Sequence, residues 1–345
     1  MLRKKNPYVV SKQTKVLVTG ATGFLGGRLA KRLVDEGYPI RALARKLSNV
    51  GALKELGVDI AFGDLGDEAS IAAAVKGVDV VVHAAAGTSG SAKDSDTATI
   101  QGTWNILEAC RTSSVKKLVH ISSCNVYEVA GYTENQVVTE NAQLERFPLR
   151  RGRYSAAKLQ AEALVTEAMN HNDCPTVVLR PGALYGPGAE VFTRMMGVSF
   201  ARRIFVVFGD GESELPLVHV DNAVDAIVRC IGNGAADNEV FNVVDHDRVT
   251  KKMYMERVVK PSYPKATVIY CPMPLLLALT WLQEKLLAIL GKQPFLTVYR
   301  LVSSQKRVRY GTSKIENAIG WQSRIRFEQG AAQILKRHRR PANSR

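Results

Sequence analysis

Val16-Leu17-Val18-Thr19-Gly20-Ala21-Thr22-Gly23-Phe24-Leu25-Gly26 passes from a β-branched run through three evenly spaced glycines into a helical pattern. Glycines at such a junction permit a tight turn, let the backbone approach a pyrophosphate and let the helix pack on the sheet. The first amides of the helix then face the phosphate charge. The strand-turn-helix context implies a dinucleotide held around Gly20, Thr22, Gly23, Phe24, Leu25 and Gly26.

Outward from that turn, short β-branched runs alternate with helical patterns. Strands are expected at Lys15 to Thr19, Ile40 to Ala44, Asp59 to Phe62, Val78 to His83, Lys117 to Ser122 and Thr176 to Arg180. Helices are expected at Leu25 to Glu36, Ala69 to Val75, Thr103 to Thr112 and Tyr154 to Ala168. Six strands with crossover helices imply an α/β fold, a doubly wound parallel sheet of the Rossmann type. After Arg180 the glycines and prolines of 181–188 end the alternation. Residues 15–180 are therefore read as the nucleotide-binding domain, and 181–216 with 231–335 as a smaller C-terminal substrate-binding region. The stretch 217–230 returns to the core as a strand and a helix capped by Asp221 or Asn222.

At the end of the second strand, Ala44 stands where a carboxylate would meet a ribose 2'-hydroxyl, and Arg45 and Lys46 follow. Arg45 can grip a 2'-phosphate bidentately, so NADP(H) is favoured over NAD(H). Asp64, after the third strand, is placed to meet the adenine edge. Tyr154 and Lys158 are four apart and share one helix face. A phenol is a poor acid-base group at neutral pH unless a cation stabilises its phenolate, and Lys158 supplies one. Ser123 ends the fifth strand on the same edge as the glycine turn, where its hydroxyl can hold a substrate oxygen; Ser122 is read as satisfying backbone.

These residues together resemble the extended short-chain dehydrogenase/reductases, the NAD-dependent epimerase/dehydratase family. The resemblance covers about Val16 to Gln329, through TGATGFLG, GDL at Gly63 to Leu65, VDVVVHAAA at Val78 to Ala86 and GTWNILEAC at Gly102 to Cys110. It continues through ISSCNVYE around Ser123, YSAAK, LRPGALYGPG at Leu179 to Gly188, PLVHVDNA from Pro216, and RYGTSKIENAIGW from Arg309. The resemblance implies that Ser123, Tyr154 and Lys158 are the catalytic group. It implies that Lys158 also bonds the nicotinamide ribose, and that Leu65, Ala84, Ala85, Ala86, Tyr154 and Pro181 line the cofactor.

Departures narrow the chemistry. Dehydratases of the family follow the catalytic threonine with Asp-Glu; here Cys124 and Asn125 follow Ser123, which argues against 4,6-dehydration. Ala183 replaces an asparagine common in nucleotide-sugar epimerases, a pattern closer to the 3β-hydroxysteroid dehydrogenase and dihydroflavonol reductase branches. Thr99 replaces a cofactor-contacting asparagine. The leading expectation is reversible oxidation of a secondary alcohol on a lipophilic or polycyclic small molecule. A nucleotide-sugar epimerase is the alternative, with Arg194, Arg202 and Arg203 serving the diphosphate. A cofactor-binding protein without turnover is the third reading, disfavoured by the presence of all three catalytic side chains.

The chain has 345 residues, 46% hydrophobic and 23% charged, with a net charge of +15. Its five scattered cysteines and six dispersed histidines suggest a reducing compartment and no metal site. Much of the positive excess lies in a basic arm, 1–14, and a basic tail, 336–345, without a nucleic-acid motif. No secretory leader is read at the N-terminus, so a cytoplasmic location is expected. The apolar segment 274–290 contains Gln283, Glu284 and Lys285 and falls short of a bilayer span; a buried helix, a pocket wall or a membrane-surface contact are its readings. A homodimer through two core helices is what the family resemblance suggests.

Overall fold

The computed structural model describes residues 13–85, 92–171, 174–292, 294 and 296–338, with side chains described from Thr99 onward in the helix that begins at Ala92. Most of the basic arm, residues 339–345 of the tail, and Ala86 lie outside the described residues.

The central sheet is wholly parallel: β1 Val16–Thr19, β2 Ile40–Ala44, β3 Asp59–Phe62, β4 Val80–His83, β5 Lys117–Ile121, β6 Thr176–Pro181 and β7 Glu239–Val243. Its order is β7-β6-β5-β4-β1-β2-β3, so the chain reverses direction across the sheet between β1 and β4. The helices that bear on the site are α1 Phe24–Asp35, α2 Glu68–Val75, α3 Ala92–Thr112, α4 Arg153–His171 and α5 Val220–Gly232. Both faces of the strands are apolar because both are covered. Val16 and Val18 pack with Leu29 and Leu33 of α1 and Ile227 of α5, while Leu17 packs on the opposite face with Ile71 of α2 and Ile106 of α3.

The first six strands fall where the sequence places them, within two residues at each end. The helix expected from Thr103 begins at Ala92, and three further features differ. First, β7 is an additional edge strand, pairing Phe241 with Leu179 and Asn242 with Arg180. Second, Leu217–His219 packs on the core through Val218 but pairs in parallel with Ala183–Tyr185, forming a separate small ladder. Third, α5 is capped by neither Asp221 nor Asn222: the Nδ1 atom of His219 accepts from the Asp221 amide at 3.2 Å. Asn222 instead bridges Asp245 and the Ile325 backbone.

A second layer, formed by the three-stranded sheet Gly197–Phe200, Ile204–Phe208 and Thr267–Cys271, packs around Phe205, Val207, Met255 and Phe327. The helix Met273–Ile289 follows it. Among the described residues no helix is long and apolar enough to cross a membrane.

Candidate active site

The glycine turn lies at the sheet's topological switch, where ligands bind in open α/β folds. Gly20 has φ +72°, and a Cβ there would come within 2.9 Å of the Ala85 backbone. At Gly26 a Cβ would come within 2.2 Å of the Gly20 carbonyl oxygen. Gly23 is the N-cap of α1, extended and without a side-chain cap bond, and no acid occupies the first helical turn. The first amides of α1 therefore remain open to an anion, and the helix dipole favours one there. This bare backbone cradle fits the pyrophosphate of a dinucleotide.

Around the cradle, Thr22 and Gly23 are exposed, Phe24 is half-buried, and Leu25 and Gly26 are buried. Ala44 is buried at the end of β2, and Arg45 and Lys46 stand exposed beyond it. The Asp64 carboxylate accepts from the Gly66 amide at 2.9 Å, so it shapes its own turn. Leu65 packs so tightly on Gly102 that a Cβ there would be 2.7 Å from the leucine Cβ. Ala84 and Ala85 are half-buried beside Gly20.

Ser123, Tyr154 and Lys158 line one cavity of about 850 Å³, together with Leu25, Ala84 and Pro181. Ser123 follows β5 and accepts from the Asn125 amide at 3.2 Å, and its hydroxyl borders the same cavity as the Tyr154 phenol. Tyr154 is 49% exposed because its ring borders the open cavity, while the packed walls around it raise its pKa and Ser123 opposes the rise. Lys158 is buried and donates to the Ile121 carbonyl at 2.7 Å. Burial pushes its pKa down to about 8, with the Glu162 charge opposing. The lysine is thus on the expected helix face, but the expected lowering of the phenol is absent: burial outweighs every opposing influence at Tyr154.

A buried polar network holds this arrangement. Ser122 donates to Glu162, which also binds Arg180; Arg180 donates to the Tyr127 hydroxyl at 2.7 Å, and that hydroxyl donates to Asn242 at 2.6 Å. The network ties α4 to β5, β6 and β7, so Ser122 serves a side chain rather than backbone. Cys124 is buried and its thiol donates to the Arg180 carbonyl at 3.1 Å, with burial raising its pKa. It is no acid for dehydration. Beneath the site, His83 lies between the hydroxyls of Thr19, at 2.8 Å, and Thr103, at 3.1 Å. Burial and then the Lys158 charge hold its pKa down at about 3.

Two sequence expectations about the cavity are corrected. Arg194 lines it, but Arg202 and Arg203 stand exposed at the turn that joins Gly197–Phe200 to Ile204–Phe208. The helix Met273–Ile289 contributes no wall; Leu296, beyond its end, does, with Phe192, Met195 and Val308. Arg151, Lys251 and Arg300, which sequence reasoning did not single out, also face the cavity. Among the described residues no group of three or more His, Cys, Asp or Glu side chains is gathered as a metal site.

Comparison with known proteins gives the chain's family. A sterol-4-alpha-carboxylate 3-dehydrogenase, decarboxylating, from Dictyostelium discoideum is 28% identical over 92% of this chain and 99% of its own. A 2-alkyl-3-oxoalkanoate reductase from Stenotrophomonas maltophilia is 34% identical over 61% of this chain and 62% of its own. The crystal structure of gox2253 shares the fold with a TM-score of 0.80 at 23% identity, covering 95% of this chain and 98% of the other. The model of the NAD dependent epimerase/dehydratase family matches residues 16–243, and with the glycine cradle and the Ser123, Tyr154 and Lys158 constellation in place, the chain belongs to that family.

Proposed function

We propose that the chain interconverts a secondary alcohol and a ketone on a lipophilic small molecule, with Ser123, Tyr154 and Lys158 as its catalytic group. The observation that carries this reading is their convergence in one cavity with Leu25 of the glycine turn. A bound nicotinamide supplies or takes the hydride. Ser123 holds the substrate oxygen, Tyr154 gives that oxygen a proton in reduction, and Lys158 holds positive charge beneath it. Tyr154→Phe should lower turnover by about 10²–10⁴-fold while leaving cofactor affinity unchanged. Unchanged turnover in a screen of sterols, hydroxy acids and nucleotide sugars would overturn the reading.

The preferred cofactor is NADP(H): Arg45 and Lys46 follow Ala44 where a carboxylate would exclude a 2'-phosphate. Asp64, Leu65, Ala84, Ala85, Ala86 and Pro181 complete its surroundings, and Lys158 bonds its ribose. Residues 181–216 and, apart from the sheet strand β7, residues 231–335 act as the substrate-binding region, a reading supported by the cavity walls at Phe192, Leu215 and Arg300. The epimerase reading draws on Arg194 in the cavity wall; cofactor that stays bound through purification would favour it, and freely exchanging cofactor the reductase.

We further propose a cytoplasmic enzyme that touches membranes peripherally. Leu275, Leu279, Leu282, Leu286 and Ile289 form an exposed stripe along Met273–Ile289. Phe200, Ile204 and Ile269 are likewise exposed on the three-stranded sheet, near the exposed Arg202, Arg203 and Lys265. That mixture suits an anionic bilayer surface, and co-flotation with phosphatidylserine vesicles tests it. Trp104, 51% exposed on α3, offers an apolar anchor for a second copy of the chain, and sedimentation of Trp104→Ala tests that dimer.

A further inference from the structure

The cavity beside Tyr154 carries a marked imbalance of charge. Beyond Lys158 and Arg153, its walls present Arg151, Arg194, Lys251, Arg300 and Lys306, against the acids Glu190 and Glu214. Glu214 is already engaged by Arg248 and lies 3.7 Å from Arg309, and Glu190 is exposed. Three of the cations crowd one another: burial lowers the pKa of Arg300, and the charges of Arg194 and Arg151 lower it further. Cations gathered along a cleft give it a positive potential, which favours an anionic ligand there.

Position makes this specific. Arg300 belongs to the short helix Val298–Ser304, which is fixed against the segment leading into α4 by two bonds. The Thr297 hydroxyl donates to the Arg150 carbonyl at 3.0 Å, and the Tyr299 hydroxyl donates to Glu145 at 2.6 Å. Glu145 in turn lies 3.7 Å from Arg151, which partly neutralises that arginine. The Arg300 guanidinium therefore rests on Gly152: a Cβ there would be 3.5 Å from its Cζ. Gly152, at φ +117°, immediately precedes Arg153 and Tyr154. Two further polar groups border the cavity. Lys251 is buried with neutral partners, the Phe208 carbonyl and Gln305, and the buried Ser303 hydroxyl has no partner.

We propose that Arg300 and Arg194, with Arg151 behind them, bind an anionic group of the substrate close to its reacting carbon, and so select hydroxy or keto acids over neutral alcohols. Phe192, Met195 and Leu296 then take the apolar remainder of the molecule. This rests on the oxidoreductase reading for the identity of the reacting carbon, but the anion site is measurable without turnover.

The test is calorimetric titration, at saturating NADP⁺, of the Tyr154→Phe chain with 3-hydroxydecanoate, with its methyl ester and with UDP-glucose, repeated on Arg300→Gln, Arg194→Gln and Arg300→Lys. The acid should bind at least about tenfold more tightly than the ester, the order of one charge-assisted hydrogen bond. The glutamine variants should erase that gap without changing ester or NADP⁺ affinity, and Arg300→Lys should restore part of it. Tight UDP-glucose binding lost in Arg300→Gln would assign the anion to a diphosphate and uphold the site. Equal binding of acid and ester, a gap that survives both glutamine variants, or no binding of either anion would overturn it. Failure of the hydride reading would show separately, as absent turnover in the wild-type chain that binds the acid.

Discussion

The Lys158 ammonium donates to the carbonyl of Ile121 at 2.7 Å, binding the helix that carries Tyr154 to the strand that delivers Ser123. One side chain thereby fixes the spacing of the other two. It also leaves a cation with pKa about 8 beneath a phenol whose own pKa is raised by burial.

At neutral pH this pairing presents a protonated Tyr154, ready to give its proton to a carbonyl oxygen. As the pH rises through about 8, Lys158 loses its charge and its support for the phenolate left by that transfer. The kcat/KM for ketone reduction should therefore fall with an apparent pKa near about 8. Lys158→Arg should move the fall to higher pH; a profile flat from pH 7 to about 10 in the wild-type chain would refute the assignment.

Arg45→Gln should weaken NADPH by roughly ten- to a hundredfold, because a charge-assisted contact to a 2'-phosphate is removed, and leave NADH unchanged. Fluorescence titration with both cofactors is the measurement. Equal losses for the two would place Arg45 elsewhere.

Gly26→Ala should destabilise the fold by about 1–3 kcal/mol, since the new methyl must displace backbone rather than a flexible side chain. The built Cβ lies 2.2 Å from the Gly20 oxygen, and movement there would also distort the cradle. Gly232→Ala is the control: nothing lies within 4 Å of a Cβ there, and the change should be neutral or stabilising by about 0.4–1 kcal/mol. Urea denaturation compares them.

His83 and His120 are buried with pKa values pushed down by desolvation, His83 to about 3. Unfolded histidine titrates near about 6.5, so between that pH and the folded value the unfolded chain holds the extra protons. Stability should fall as the solution is acidified through about pH 6.5, by about 1.4 kcal/mol per pH unit for each such histidine. Both ring nitrogens of His120 are buried without partners. His120→Leu should flatten the acid limb of thermal stability without loss at pH 7, and an unchanged slope would count against a neutral buried His120.

Local signals were legible in the sequence because local chemistry sets them. The β-branched runs and the glycine turn depend on neighbours a few residues away, and Tyr154 and Lys158 share a helix face at any register of the surrounding fold. The rest depends on distant partners. Asn242 reads as a polar interruption, yet its side chain is satisfied by Tyr127, Val138 and Gly311, so β7 forms around it. His219 is not a residue type expected as a cap, and only the tertiary position of Leu217–His219 makes it one. Arg300 meets Gly152 because two side-chain bonds pin its short helix against the segment leading into α4, a pairing no spacing rule could announce. Lys158 was found for its charge, while the burial that decides its protonation was not readable.

Because β7 is supplied only after residues 182–238 have been traversed, that stretch, which carries part of the cavity wall, is an excursion out of the sheet rather than an appendage behind it. On the ribosome, β6 must wait with an open hydrogen-bonding margin until residues 239–243 emerge. A fragment truncated before them would offer that margin to its neighbours as a template for self-association. Closing the nucleotide-binding sheet takes the whole span through residue 243.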